Sequence, residues 1–249
     1  MTEQRKALLL GSLGILGFLA LWEAVGQGRW LGLSWPPLSA VLALLADENR
    51  QPLFARALGA TLSSLGTGYA IGWAAGIGAA VLAHLVAPLR EGLERTNAFI
   101  HAVPSVALAP LLILLVGREG TPATLAALNT FFILYVSTAS GLGATQPALR
   151  DLVQVLGGSR WTRFIRLDLP LSLPTVVSGM RLAAPSALIG VIIGEWFGAP
   201  RGLGVLVINA MQNFQIPLLW SAVLLAVMVS LSLFAILGAL HRGVVARLR

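Results

Sequence analysis

The chain has no cysteine, a single lysine and little charge of either sign. Charged residues fill 11% of its 249 positions and hydrophobic ones 57%, whereas a soluble domain carries about 25% charge. Each shortage excludes something. Without cysteine there are no disulfides and no thiolate metal sites. The one lysine, Lys6, lacks the GK[ST] context of a phosphate-cradling loop, so any nucleoside triphosphate that powers this chain is bound by another subunit. The histidines His84, His101 and His241 are scattered without metal-ligand spacing, and no G-x-S-x-G elbow occurs. The expectation is a chain with no catalytic residue, no metal and no cofactor, and not an enzyme.

What the chain does have is apolar sequence in long runs. Spanning a hydrocarbon core about 30 Å thick takes about 20 apolar residues. Segments 7–25, 57–87, 102–117, 123–143, 173–194 and 218–240 reach or approach that length. Backbone groups in lipid must be satisfied within their own segment, which makes these segments helices. The predicted fold class is all-α, a polytopic membrane protein with about six transmembrane helices. Residues 7–25 are too long for a cleaved signal peptide, and no A-x-A-like site follows them.

The net charge of +7 would suggest nucleic acid in a soluble protein. In a bilayer its distribution says more, and no nucleic-acid partner is expected. With the N-terminus in the cytoplasm, inward segments hold Arg5, Lys6, Arg90, Arg95, Arg150, Arg160, Arg163, Arg166, Arg242, Arg247 and Arg249. Outward segments hold only Arg29, Arg50, Arg56, Arg118 and Arg201, and Arg181 lies within a span. That excess places both termini, and residues 145–174, on the cytoplasmic side.

Residues 1–56 read as a first transmembrane helix followed by the longest extracytoplasmic loop. Within that loop a Pro-rich stretch leads into a short amphipathic surface helix. Residues 57–240 hold the remaining spans, and 241–249 form a basic cytoplasmic tail. Gly72 and Gly76 stand at GxxxG spacing, which lets helices approach closely in lipid, within the chain or between chains. Pro110 lies more than a turn inside the span at 102–117 and is expected to kink it, beside a pathway or as a plain structural bend.

One segment does not fit a run of spans. Between Arg150 and Arg166 four arginines fall within seventeen residues, bounded by Gly157-Gly158 and Pro170. Pro147 suits a helix start, and Leu149, Leu152, Val153 and Leu156 then make one apolar stripe. A second short helix is expected from about Ser159. On it Trp161, Phe164 and Ile165 share one face and Arg160, Arg163 and Arg166 the other, and Pro170 ends it. Two readings fit: a projection for a partner to grip, or an interfacial element whose arginines contact anionic headgroups.

The spacing from Asp151 onward bears on that choice. Asp151-Leu152-Val153, three residues, Gly157, nine residues, Leu167, one residue, Leu169-Pro170 resembles the EAA signature of bacterial ABC importer permeases. That signature runs E-A-A, three, G, nine, I, one, L-P. Asp151 replaces Glu, Leu152-Val153 replaces Ala-Ala and Leu167 replaces Ile, while Gly157, Leu169 and Pro170 match. Stretches from Leu173 to Ala210, and those containing "WPPLSAVLALL" and "HAVPSVALAPLLILLVG", look like the nitrate/sulfonate/taurine-type subgroup.

The resemblance implies a type I ABC importer permease fold over 57–240, in the bacterial cytoplasmic (inner) membrane. It further implies that region 145–170 is a coupling helix docking a separate ATP-binding subunit through Asp151, Leu152, Val153, Leu156, Gly157, Trp161, Leu167, Leu169 and Pro170. In the signature Gly157 is fixed and Gly158 free. The other implied partners are an extracytoplasmic solute-binding protein, a second permease subunit (a homodimer) and the lipid bilayer. The implied solute is a sulfonate-, nitrate- or taurine-like anion, or a vitamin precursor such as a pyrimidine or riboflavin. Rival classes are an ion-coupled secondary carrier, which usually shows intramembrane acids in paired halves, and a non-transporting membrane assembly subunit.

For the pathway itself the sequence offers five polar residues. Glu195 either lines the outer mouth or pins the turn Gly198–Gly204 by accepting backbone N–H bonds. Arg181 either holds an anion in transit or snorkels to the inner headgroups. Asn209, Gln212 and Asn213 sit on a short re-entrant helix after the turn, within reach of a solute at that mouth.

Overall fold

A computed structural model of the protein describes residues 3–248, except for the side chains at 3–5, 7, 8, 247 and 248. Arg249 and the side chains of Arg5 and Arg247, which entered the charge count, lie outside the described residues. Ten α-helices follow in order: α1 Glu3–Gln27, α2 Leu38–Ala46, α3 Gln51–Leu85, α4 Ala87–Ala102, α5 Ser105–Gly143, α6 Pro147–Val155, α7 Arg160–Arg163, α8 Leu169–Trp196, α9 Leu203–Gln212 and α10 Ile216–Leu248. Among the described residues there is no strand. The basic tail expected at 241–249 is no separate segment where it is described, because α10 runs on to Leu248.

Among the described residues five helical stretches are long and apolar enough to cross a membrane: Leu9–Gln27, Gln51–Leu85, Ser105–Gly143, Arg160–Trp196 and Ile216–Ala246. About six spans were expected, and the count fits because α5 takes in both 102–117 and 123–143. It does so by folding back on itself. Gly117, at φ 77° and ψ 172°, is its one residue outside helical geometry. Ser105 Oγ donates to Asn129 Oδ1 at 3.1 Å, and the His101 and Phe132 rings stack with centroids 3.5 Å apart. In a straight helix residues 105 and 129 would stand about 36 Å apart. The break therefore sits at Gly117, where the backbone enters a region open chiefly to glycine, and not at Pro110. The arm before it has only twelve residues, about 18 Å of rise, too short to span alone.

The longer arm of α5, residues 118–143, is the centre of the bundle. In lipid there is no hydrophobic drive between helices, so close van der Waals packing must hold them. Three glycines of α3 supply it on one side. A Cβ on Gly68 or Gly72 would run into the Ala123 or Ala127 carbonyl, and one on Gly76 would lie 2.7 Å from the Phe131 carbonyl. The Gly72/Gly76 pair thus serves packing within the chain. On the other side Gly190 and Gly194 of α8 press on the backbone of Leu125 and Pro122, and Gly179 on the Ser137 side chain. Asn129 adds a polar tie, donating from Nδ2 to the Ser186 carbonyl at 3.0 Å.

α1 and α10 flank this core with mostly exposed apolar faces, as lipid contact requires. At the end where α1 finishes, the rings of Trp22, Trp35 and Trp220 lie with centroids 4.8 to 5.5 Å apart. Trp22 donates to the Pro36 carbonyl and Trp220 to that of Ser34, both at 3.0 Å. This aromatic knot fastens the loop before α2 and is typical of residues at a membrane interface.

The glycine contacts generate a prediction. Gly72→Leu forces bulk into a backbone contact and should destabilise the purified protein by about 1–3 kcal/mol or more. Gly78→Ala, on the same helix with open space at the Cβ, should leave the melting midpoint in detergent unchanged or higher. Equal midpoints for parent and Gly72→Leu would contradict the packing described.

Candidate functional site

The segment from Thr145 to Pro170 folds as a short projection at the end of the bundle where α3 and α5 finish. Gln146 caps α6 in extended geometry, with Pro147 in the first turn, where its missing N–H costs nothing. The helix closes with a Schellman motif. Gly157 takes φ +76°, its N–H donates to the Gln154 carbonyl at 3.0 Å, and Gly158 N–H donates to that of Val153 at 2.8 Å. That left-handed turn suits glycine and strains a branched residue. Gly158 is not free either: a Cβ there would stand 2.8 Å from the Val153 carbonyl oxygen. The following residue, Ser159, caps α7 by accepting from Thr162 N–H at 3.1 Å.

Pro170 does not end the second helix. α7 passes through a π-turn at Phe164–Asp168 directly into α8, with Pro170 in the first turn of α8. The wider turn frees the backbone just where a proline removes a donor, so helical character continues from Arg160 to Trp196. The same π-turn upsets the expected division of faces. Phe164 is buried, Ile165 is exposed, and Arg163 turns into the bundle rather than outward with Arg160 and Arg166.

Arg163 turns inward because Asp168 is there. This fully buried carboxylate receives three side chains from three parts of the chain. Thr145 Oγ1 donates to Oδ1 at 2.8 Å. On Oδ2, Arg163 Nε lies at 3.2 Å and His84 Nε2 at 3.0 Å. A buried carboxylate survives only when paired and hydrogen-bonded. Asp168 therefore ties the root of the projection to the last turn of α3 and to the end of α5. Neither Asp168 nor His84 was assigned this part from sequence. The available signal was an acid in an otherwise apolar run, but its partner stands 84 positions away.

The expected docking residues are mostly presented outward. Asp151 and Gly157 are exposed, as are Leu152, Leu156 at 76% and Trp161 at 59%. Val155, outside the expected stripe, is 84% exposed. Leu169 is exposed, while Val153, Leu167 and Pro170 are partly buried. Trp161 stacks on the buried Phe164 with centroids 5.5 Å apart. The projection thus carries apolar side chains on a surface that also bears Arg160 and Arg166.

At the opposite end, Glu195 is buried to 1% exposure. Its Oε2 accepts from Gly204 N–H at 2.7 Å and its Oε1 from Thr61 Oγ1 at 2.7 Å. Thr61 Oγ1 in turn accepts from Leu203 N–H at 2.8 Å. Glu195 and Thr61 thereby satisfy the first N–H groups of α9 and join α3, α8 and α9, as an acid at a helix N-terminus does. Gly202, at φ +148° and against the carboxylate, leaves no room for a side chain.

The other pathway candidates are not brought together. Arg181 Cζ lies over the Phe234 ring, 3.8 Å from its centroid, a cation–π contact with α10. Asn213 Nδ2 donates to the Asn209 carbonyl at 2.8 Å, and Gln212 is exposed. Asn209 itself faces a groove shared with Arg56 and Arg201, two arginines not assigned to the pathway from sequence.

The sequence and fold match known proteins along most of the chain. Residues 68–249 fit the family model of the binding-protein-dependent transport system inner membrane component. A probable ABC transporter permease protein of Haemophilus influenzae is 32% identical over 247 residues, covering 95% of this chain and 98% of that protein. The formylaminopyrimidine transport permease protein ThiX of Halalkalibacterium halodurans is 29% identical over 91% of this chain and 89% of its own. Among solved structures, the MetNI methionine ABC transporter in inward-facing conformations matches with a TM-score of 0.68 at 16% identity. That match covers 80% of this chain and 99% of the other, and it identifies the fold as that of type I ABC importer permeases. The chain belongs to the family of binding-protein-dependent transport system inner membrane components, the permease components of ABC importers.

Proposed function

We propose that the chain forms the translocation pathway of an ATP-driven importer and receives its driving force through residues 145–170. In this reading two copies form the membrane unit, each docking one ATP-binding subunit on the cytoplasmic side. An extracytoplasmic binding protein delivers a small solute at the end that carries Glu195 and α9. Both termini are cytoplasmic. The solute is a compact heterocycle or an organic anion, a class supported by the formylaminopyrimidine relative and by Arg56 and Arg201 at the outer groove.

One observation carries the reading. A short helix with an exposed apolar stripe, ended by a left-handed glycine, is rooted in a buried carboxylate that also binds α3 and α5. A partner that pulled on Leu152, Leu156 and Trp161 would therefore pull on the last turns of both core helices. An element that only rested on lipid would need no such root. Leaving Leu156 and Val155 so far exposed also fits a surface covered by protein in the complex.

The topology is open to a direct test in this cysteine-free chain. Ser159→Cys and Glu119→Cys, the latter at the Gly117 reversal, should react with an impermeant thiol reagent from opposite sides of the membrane. Labelling of both from outside intact cells would exclude the arrangement.

The coupling role is tested at Gly157. Its Cβ direction is open, so a substitution acts through the backbone, at roughly 1 kcal/mol or more for a β-branched residue. Gly157→Val should reach the membrane at normal levels, yet lose the co-purifying ATPase subunit or its solute-stimulated hydrolysis. Gly157→Asn should be milder, because asparagine tolerates the left-handed region. Gly158→Ala, mild by the signature alone, should also be harmful because of the Val153 carbonyl. Full coupled uptake by Gly157→Val would refute the docking role.

A further inference from the structure

A cavity of about 270 Å³ opens beside the root of the projection, between the last turns of α3 and α5, the first half of α4 and the chain around Arg150. Its walls are unusually cationic for so apolar a protein. Arg90, Arg150 and Arg163 line it together with His84, and the one carboxylate among the lining residues is Glu94. Two of these cations are already engaged: Arg90 Nε lies 2.8 Å from Glu94 and Arg163 Nε 3.2 Å from Asp168. Arg150 gives one nitrogen, Nη2, to the Gly143 carbonyl at 3.0 Å.

Two polar groups in the cavity wall lack a protein partner among the described residues. Arg150 Nε is buried without one, and so is the hydroxyl of Tyr135, a residue only 3% exposed. Both can donate a hydrogen bond, and Arg150 can do nothing else. A buried donor left unpaired is costly, and native structures leave few. Tyr135 stands on α5 and Arg150 on α6, so the two orphaned groups reach one cavity from different elements. An acceptor placed between them would satisfy both. The flanking arginines favour an acceptor with negative charge, and several lone pairs would let it take both bonds at once.

We infer that this cavity is a binding site for a small oxyanion group, a sulfonate, sulfate or phosphate, held by Arg150 Nε–H and the Tyr135 hydroxyl with Arg90 and Arg163 as flanking charge. A bound oxyanion bridges α6 to α5 and so fixes the projection against the core helices. Resting on the coupling role proposed above, occupancy from the cytoplasmic side restrains the projection, and an accumulated anion slows the transport cycle. Binding itself does not depend on that role and can be measured without an ATPase.

The test is calorimetric titration of the full-length chain in phosphate-free detergent with sodium sulfate and with methanesulfonate. Sodium chloride at matched ionic strength is the control. Sulfate should give a saturable heat that chloride does not. Arg150→Gln and Tyr135→Phe should each weaken it by about tenfold or more, the worth of a hydrogen bond to a charged group. Tyr135→Phe removes only an unpaired hydroxyl, so without anion it should melt no lower than the parent, which separates lost binding from lost folding. Repeating the titration in phosphatidylglycerol nanodiscs distinguishes the source. Sulfate binding suppressed there identifies a lipid phosphate as the occupant, and binding retained identifies a free anion. Equal heats for sulfate and chloride, or parent-like affinity in both variants, would overturn the site. Loss of the Gly157→Val effect with sulfate binding intact would instead count against the coupling role alone.

Discussion

The constraint on which the structure depends is the glycine-lined grip on residues 118–143 of α5. Apolar side chains on helices in lipid gain nothing by leaving lipid for one another, so the core must be held by contact distance. Gly68, Gly72 and Gly76 of α3 bring its backbone against the carbonyls of α5, while from the other side Gly179, Gly190 and Gly194 of α8 close on the Ser137 side chain, the Leu125 backbone and Pro122. These contacts hold the three helices together at close range. The polar groups at the two ends act on that packed core.

At each end a buried carboxylate fastens a peripheral element to this body. Glu195 holds the start of α9 through Gly204 and Thr61, and Asp168 holds the root of the projection through Thr145, Arg163 and His84. The two acids are alike in burial and differ in partners. Glu195 satisfies backbone N–H groups and an uncharged hydroxyl, which suits a fixed turn. Asp168 binds a guanidinium and an imidazole on two elements, a set whose members can be pulled apart by a force on the projection.

Much of this was legible in sequence where the physics is local. Long apolar runs marked the helices, the spacing around Gly157 marked the projection, and pinning the glycine-rich turn through backbone N–H bonds was one of two readings of Glu195. What escaped was tertiary. The reversal at Gly117 was half legible: Arg118 and Glu119 interrupt the apolar sequence between 102–117 and 123–143, but nothing local shows that the two arms fold back on one another there. Pro170 looked like a helix stop because the π-turn that accommodates it leaves no mark on periodicity. Asp168 falls at the free position of the signature, and the residue that explains it, His84, lies at the far end of α3. Of the residues Arg181, Glu195, Asn209, Gln212 and Asn213, Glu195 is tied to the turn before α9, Arg181 lies against α10, and Asn213 bonds to the Asn209 carbonyl.

The central claim is that force applied to the projection reaches α3 and α5 through Asp168. The most direct measurement is uptake per ATP hydrolysed, in vesicles holding the complete complex, with Asp168→Asn compared with the parent chain. The asparagine keeps the size and a hydrogen-bonding oxygen but loses the charge that holds Arg163. The account predicts a complex that still contains its ATPase and still hydrolyses ATP, with uptake per ATP lower by about 5-fold or more, the usual range for a coupling interaction. Unchanged uptake per ATP in an assembled Asp168→Asn complex would contradict it.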